Sequence, residues 1–278
     1  MAHELKFASP SFGKRLKGML GVDFYRLFHT PLYYIFLAIA AIIPAMVSCL
    51  TMMPDQNGNV MEPLYSNVWQ IIAASEPLYV IRSISDYANM NMVFIFGGIM
   101  VSIFIGHDYR SGYVKQLFTT HAKKVDYMLS KTISCAFAIV CMCASYFIGG
   151  TIGGLIAGYD TAVNVGSLLV AVFGKMILSL GWASLFTFIN VILRKQFGVS
   201  IASSFFFGTG ILIIGVAAVV EALSLPTAFL NMFLYGASVN ACLASGFGAF
   251  ITCIVVSLAW TLIYNLLGTW LLSRSDVY

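Results

Sequence analysis

Six long apolar runs organise the chain: Leu32 to Met53, Asn89 to Gly106, Met128 to Gly158, Gly166 to Leu193, Val199 to Ala222, and Phe247 to Leu272. Each approaches or exceeds the roughly 18 to 20 residues that an α-helix needs to cross a bilayer. A membrane β-barrel would instead alternate apolar and polar residues within segments of about ten. The pattern predicts an all-α integral membrane protein with six transmembrane helices. The third and fourth runs are longer than a bilayer requires and are expected to tilt or protrude. Pro44 is expected to kink the first.

Shorter patterns fill the ends and connections. Phe12, Leu16, Leu20, Phe24, Leu27 and Phe28 recur at helical spacing, flanked by Lys14, Arg15, Lys17 and Arg26. This predicts an interfacial amphipathic helix whose basic residues face anionic lipid. Asp23 falls within the apolar stripe, either as a solvated carboxylate or as a salt-bridge partner for a basic residue in the next loop on that side. The loop from Pro54 to Asp86 is too long for a bare turn. Its middle, Val68 to Ile72, is apolar enough to rest on the membrane surface. Leu223 to Gly246 holds no charged residue and is interrupted at Pro226 and Gly236, which predicts a re-entrant hairpin before the sixth span. The resulting division is residues 1–31 as N-terminus and interfacial helix, 32–272 as membrane domain and 273–278 as tail.

Composition sharpens this. Apolar residues make up 60% of the 278 positions and charged residues 9%, against roughly 25% charge in soluble domains. With the N-terminus inside, 13 of the 15 basic residues fall in inner segments: Lys6, Lys14, Arg15, Lys17, Arg26, Arg110, Lys115, Lys123, Lys124, Lys131, Arg194, Lys195 and Arg274. Only Arg82 and Lys175 fall outside, so the positive-inside rule gives both termini to the cytoplasm. The +4 net charge is then a topology signal, and no nucleic-acid partner is expected.

The missing motifs exclude most chemistry. Gly13-Lys14 and Gly174-Lys175 have Ala8 and Leu169 where a phosphate-binding loop needs its first glycine. There is no His-Glu-x-x-His, no intramembrane aspartate pair and no Gly-x-Ser-x-Gly. Catalytic, cofactor-binding and metal-binding residues are therefore expected to be absent. Glu221 and Lys175 are read as interfacial groups near span ends, leaving no visible carrier for ion coupling or voltage sensing. Cys49, Cys135, Cys141, Cys143, Cys242 and Cys253 lack metal spacing and are read as small packing residues. Val47-Ser48-Cys49 is faintly similar to a lipoprotein cleavage box, but the first run is read as a retained span. Gly150, Gly154 and Gly158, paralleled by Gly149 and Gly153, are spaced for close helix packing, either within one subunit or between two.

The stretch from Gly106 to Leu117 carries most information. Asp108 fits as a cap for a short helix through Leu117, with Val114, Leu117 and Phe118 as its apolar edge. A short helix held just below a membrane suits docking of a soluble partner, although an ordinary charged turn would read similarly. Asp108-Tyr109-Arg110-x-Gly112 directly after the second span, followed by a basic helix, resembles the permease subunit of a type-2 ABC exporter. Val22 to His29 is similar to the helix that precedes the first span in that family. The span count and the apolar broken segment before the last span match too, so the resemblance covers essentially the whole chain. Tyr113 stands where many relatives have Thr, a departure expected to be without consequence.

The resemblance implies that Asp108, Tyr109, Arg110, Gly112, Lys115 and Leu117 belong to a cytoplasmic coupling helix that docks on ABC ATPase subunits. It implies that ATP and magnesium sit on that partner and that a second permease copy, identical or related, completes the transporter. The interfacial helix, through Leu16, Leu20, Asp23, Phe24, Arg26 and Phe28, would meet membrane lipid. Size and the short outer loop are similar to permeases of lantibiotic and other antimicrobial-peptide self-protection systems, which implies a bacterial plasma membrane. Exporters of drugs, lipids or ions share this size class. A membrane sensor or assembly protein without transport is the reading from another class.

Overall fold

The computed structural model describes residues 11–50, 67–77, 89–119 and 122–274. Lys6, Arg82, the end of the first run beyond Leu50, most of the 54–86 loop and the last four residues lie outside the described residues. Among the described residues there are eleven α-helices and one 3-10 helix, and no β-strand. In chain order the helices are α1 (Phe12–Phe28), α2 (Pro31–Leu50), α3 (Val68–Ile72), α4 (Met92–Arg110), α5 (Tyr113–Thr119) and α6 (Lys124–Ile156). They continue with α7 (Val165–Ile192), α8 (Phe197–Gly208), α9 (Ile211–Ala222), the 3-10 helix Thr227–Met232, α10 (Leu234–Asn240) and α11 (Phe247–Arg274).

Five of these, α2, α4, α6, α7 and α11, are long and apolar enough to cross a membrane. The pair α8 and α9 makes a sixth span if counted together, but it bends by 48°. The break has a local cause. Gly210 adopts a left-handed conformation at φ 70°, which side chains with a Cβ seldom adopt, and the ring of Tyr235 occupies the place of a Cβ. The fifth apolar run is thus two helices rather than one. The chain is a multi-pass helical membrane protein.

Packing follows small residues. Pro44 is accommodated inside α2, where Ser48 Oγ donates to the Pro44 carbonyl at 2.8 Å. On α6, a Cβ at Gly149 or Gly153 would overlap the α2 backbone at Ala41 and Ala45. The next face, Gly150 and Gly154, receives Ile72 and Val68 of α3. Both glycine rows are therefore filled from within one chain. Gly158 belongs to neither: it lies beyond the end of α6 in a left-handed turn at φ 77°, with nothing near its Cβ position.

Two expectations about connections change. Val68, Ile71 and Ile72 are buried against α6 instead of resting on a membrane surface. Asn67 caps α3 by accepting from Trp69 N and Gln70 N, and Val68 N donates to Asp160 O at 2.9 Å. In the segment before α11, Pro226 precedes the 3-10 helix and Phe233 is extended. Gly236 lies inside α10 and packs on the Leu230 carbonyl, so it does not mark the interruption. Leu234 to Val239 are buried against protein, the condition under which broken backbone is tolerated at membrane depth.

Gly153→Val is expected to cost at least the roughly 1–3 kcal/mol of an overpacked core, because backbone rather than a flexible side chain must yield. Gly215→Val, at an open position on α9, serves as the control. Equal thermal unfolding midpoints for the two purified variants would contradict the α2–α6 contact.

Candidate functional site

Helix α1 turns Met19, Asp23 and Leu27 inward, one residue per turn on a single face. That face lies on α6, whose first turns carry Ser130 and Lys131. Lys131 Nζ meets Asp23 Oδ1 at 2.5 Å and Asp108 Oδ2, from the end of α4, at 2.6 Å. Arg26 Nη2 meets Asp108 Oδ1 at 2.5 Å, and Ser130 Oγ donates to Asp23 Oδ2 at 2.6 Å. Two aspartates and two cations thus form one chain across three helices, with zero net charge. Asp23, Asp108 and Lys131 are all buried.

Aromatic rings enclose the cluster. Lys131 Nζ lies 4.7 Å from the Phe104 ring centre, and the Arg26 guanidinium carbon lies 4.8 Å from that of Tyr113. Burial opposes the charge on Arg26 most strongly, but Asp108 beside it and Asp23 nearby together outweigh that and raise the arginine pKa above its ordinary value. A second pair extends the arrangement: Arg15 Nε meets the buried Asp126 Oδ2 at 2.6 Å. Asp126 also accepts from Lys123 N at the start of α6, as a reciprocal cap does.

This geometry corrects several expectations. Asp108 does not cap a short helix. Together with Tyr109 and Arg110 it ends α4, and the short helix α5 begins after Gly112, whose φ of 73° turns the chain. Of the six expected coupling positions, only Lys115 and Leu117 lie on α5. Asp23 is a salt-bridge partner rather than a solvated carboxylate, but its lysine, Lys131, lies on α6 instead of in the preceding loop. Arg15 and Arg26 face protein carboxylates, while Lys14 and Lys17 stay exposed. Leu16, Leu20 and Phe24 are half-buried and Phe28 is exposed. Tyr113 does have a role, as the ring beside Arg26.

Helix α5 has two faces. Val114 is buried, and Leu117 and Phe118 pack with it against Met19, Tyr127, Met128 and Leu272, contributed by α1, α6 and α11. Lys115, Gln116 and Thr119 are exposed on the other side. Lys124 Nζ donates to Leu272 O at 2.6 Å, tying the start of α6 to the end of α11.

Two interior features were missed by sequence reasoning. Lys175 lies well inside α7 with 2% of its surface exposed, beside thiols from α6, α11 and the segment after α10, rather than at an interface. Ser102 of α4, Asn190 of α7, and Ser200 and Ser204 of α8 form a buried hydrogen-bond network, the kind of polar contact that joins membrane helices. Glu221 is exposed at the end of α9. No group of three metal-ligating side chains occurs among the described residues.

Fold and site together define a multi-pass helical membrane protein with a buried ion cluster at one end of its bundle. Comparison with known proteins returned no matching family model and no matching curated protein.

Asp23→Ala leaves Lys131 with one of its two carboxylates and gives the cluster a net charge of +1. Removing one partner of a buried ion pair costs about 3–5 kcal/mol. The double variant Asp23→Leu with Lys131→Met keeps the Arg26–Asp108 pair and is expected to recover most of that loss. Thermal unfolding of single and double variants checks this; a double variant no more stable than the single would contradict the pairing.

Proposed function

We propose that this chain is the permease subunit of an ATP-driven type-2 ABC exporter, with α5 as its docking helix for a separate ATPase. The observation that carries the reading is the two-faced α5. Its apolar side is anchored to α1, α6 and α11, and its polar side is left free at the end of the second span. A push on α5 would reach α4 through Gly112 and reach α1 and α6 through the ion cluster, so work delivered by a soluble partner has a rigid route into the spans. In this reading the basic end of the bundle is cytoplasmic, with both termini there, in the plasma membrane of a bacterium.

ATP and magnesium would bind the partner, and a second permease, identical or related, would face this one across the membrane. The substrate class follows the resemblance to antimicrobial-peptide immunity permeases: an amphipathic peptide expelled from the membrane. Drugs, lipids or ions remain the other cargoes of this family, and a sensor without transport is the reading outside it.

Lys115→Glu with Gln116→Glu alters only the exposed face of α5. It is expected to weaken co-purification with an ATPase encoded beside this gene by about tenfold or more, as like charges at an interface do, while thermal stability stays unchanged. Undiminished co-purification and undiminished coupled ATPase activity in this variant and in Arg110→Ala would sink the docking assignment. For the substrate, a deletion strain is expected to become sensitive to lantibiotics; unchanged sensitivity to every peptide tested would remove that cargo and leave the docking claim standing.

A further inference from the structure

A cavity of about 460 Å³ lies where the end of α1, the start of α2 and the last turns of α4 meet. Its volume is within the range of small-molecule sites. Both α2 and α4 are long and apolar enough to span, and the cavity sits where one begins and the other ends. That is the level of lipid headgroups rather than of the hydrocarbon core. Leu32, Ile103 and Phe104 give it apolar walls, while Arg26, His29 and His107 line it with basic groups. No carboxylate among the described residues lines it.

The three basic residues keep something in reserve. Arg26 is the cationic end of the ion chain, and Lys131 shares the aspartate that it binds. Its side chain also stays 24% exposed. His29 Nδ1 donates to the Tyr25 carbonyl at 2.7 Å, since a carbonyl can only accept, and its Nε2 has no partner among the described residues. His107 is exposed, and neither of its ring nitrogens has a partner among the described residues. The surroundings carry one sign of charge. Asp23, Asp108 and Asp126, the described carboxylates at this end, are all buried and paired. The exposed charges left there include Lys14, Lys17, Arg110, Lys115 and Lys195, all positive.

We propose that this cavity binds the headgroup of one anionic phospholipid. The phosphodiester lies against Arg26, His29 and His107, and the start of the acyl chains lies against Leu32, Ile103 and Phe104. Basic groups without a competing carboxylate select an anion, as basic segments beside a membrane do. The same lack of a carboxylate leaves the cationic part of a zwitterionic headgroup with no counter-charge. The apolar walls select a lipid over a free phosphate. The inference goes beyond the exporter reading: one chain builds the cavity, and neither an ATPase nor a second subunit is needed.

The test extracts the full chain from vesicles of equal phosphatidylglycerol and phosphatidylcholine and counts retained lipids by native mass spectrometry. The single-lipid species is expected to favour phosphatidylglycerol by about fivefold or more. His29→Ala with His107→Ala leaves the ion cluster untouched and is expected to bring that ratio within about twofold of equality. Lys14→Ala with Lys17→Ala removes two exposed cations outside the cavity and should leave the ratio as it was. Ile103→Trp fills the cavity from its apolar side and should suppress phosphatidylglycerol retention without altering any charge. Equal retention of the two lipids by the unaltered protein would overturn the proposal. So would a ratio that survives the histidine double variant, or one that falls as far in the lysine double variant, which would mean diffuse attraction. Should the histidine variant fail to fold, Ile103→Trp decides, and full phosphatidylglycerol retention there overturns the site. Glycerol phosphate, which lacks acyl chains, is expected not to displace the lipid; displacement would assign the cavity to a free phosphate and overturn the lipid.

Discussion

A lysine and two aspartates taken out of water at the end of a helical bundle must be matched charge for charge. Desolvating one unpaired ion costs several kcal/mol even after relaxation. Here Asp23, Lys131, Asp108 and Arg26 alternate in sign, and the whole chain of charges closes only when α1, α4 and α6 all arrive together. The apolar contacts of the bundle would tolerate some sliding, because one hydrocarbon surface replaces another at little cost. The ion chain does not tolerate it. It therefore fixes the position of α1 against the spans and, through Asp108 four residues before the turn at Gly112, the exit direction of α5.

The remaining architecture builds outward from that fixed point. The α6 glycines let α2 approach to backbone contact, and the Ser102–Asn190–Ser200–Ser204 network joins α4, α7 and α8. These devices use small or polar groups, as expected where no hydrophobic effect drives helices together inside lipid. Aromatic rings pack elsewhere as well: around the ion cluster, where α1, α2 and α6 meet, and between α3 and α6.

The membrane class and the helix positions were legible because hydropathy over long windows is a strong and local signal. The third and fourth runs coincide with α6 and α7 to within a few residues. Legibility failed where a long-range partner decides. Asp23 reads as an anomaly in an apolar stripe, but nothing adjacent in sequence names Lys131 as its partner. Asp108 reads as a helix cap because it precedes a polar stretch, whereas Lys131 and Arg26 draw it into the end of α4. Lys175 reads as interfacial because the surroundings of a lone lysine within a span are not encoded in composition. Val68 to Ile72 looked like a surface segment because its receptor is a pair of glycines, which leave no hydropathy signal. The Gly210 break was invisible for a related reason: a glycine in an apolar run is ordinary until Tyr235 is seen in the space beside it.

The fifth span being in two pieces has a mechanical meaning. A continuous helix transmits a displacement along its whole length, because its backbone hydrogen bonds resist bending. At Gly210 that continuity is interrupted, and α8 is held to α4 and α7 by the serine–asparagine network while α9 presents most of its surface outward. The two halves of the span are thus anchored unequally. One is tied by polar side chains to two other spans, and the other leaves it at a single left-handed residue, so a displacement of the first is not passed straight along the second.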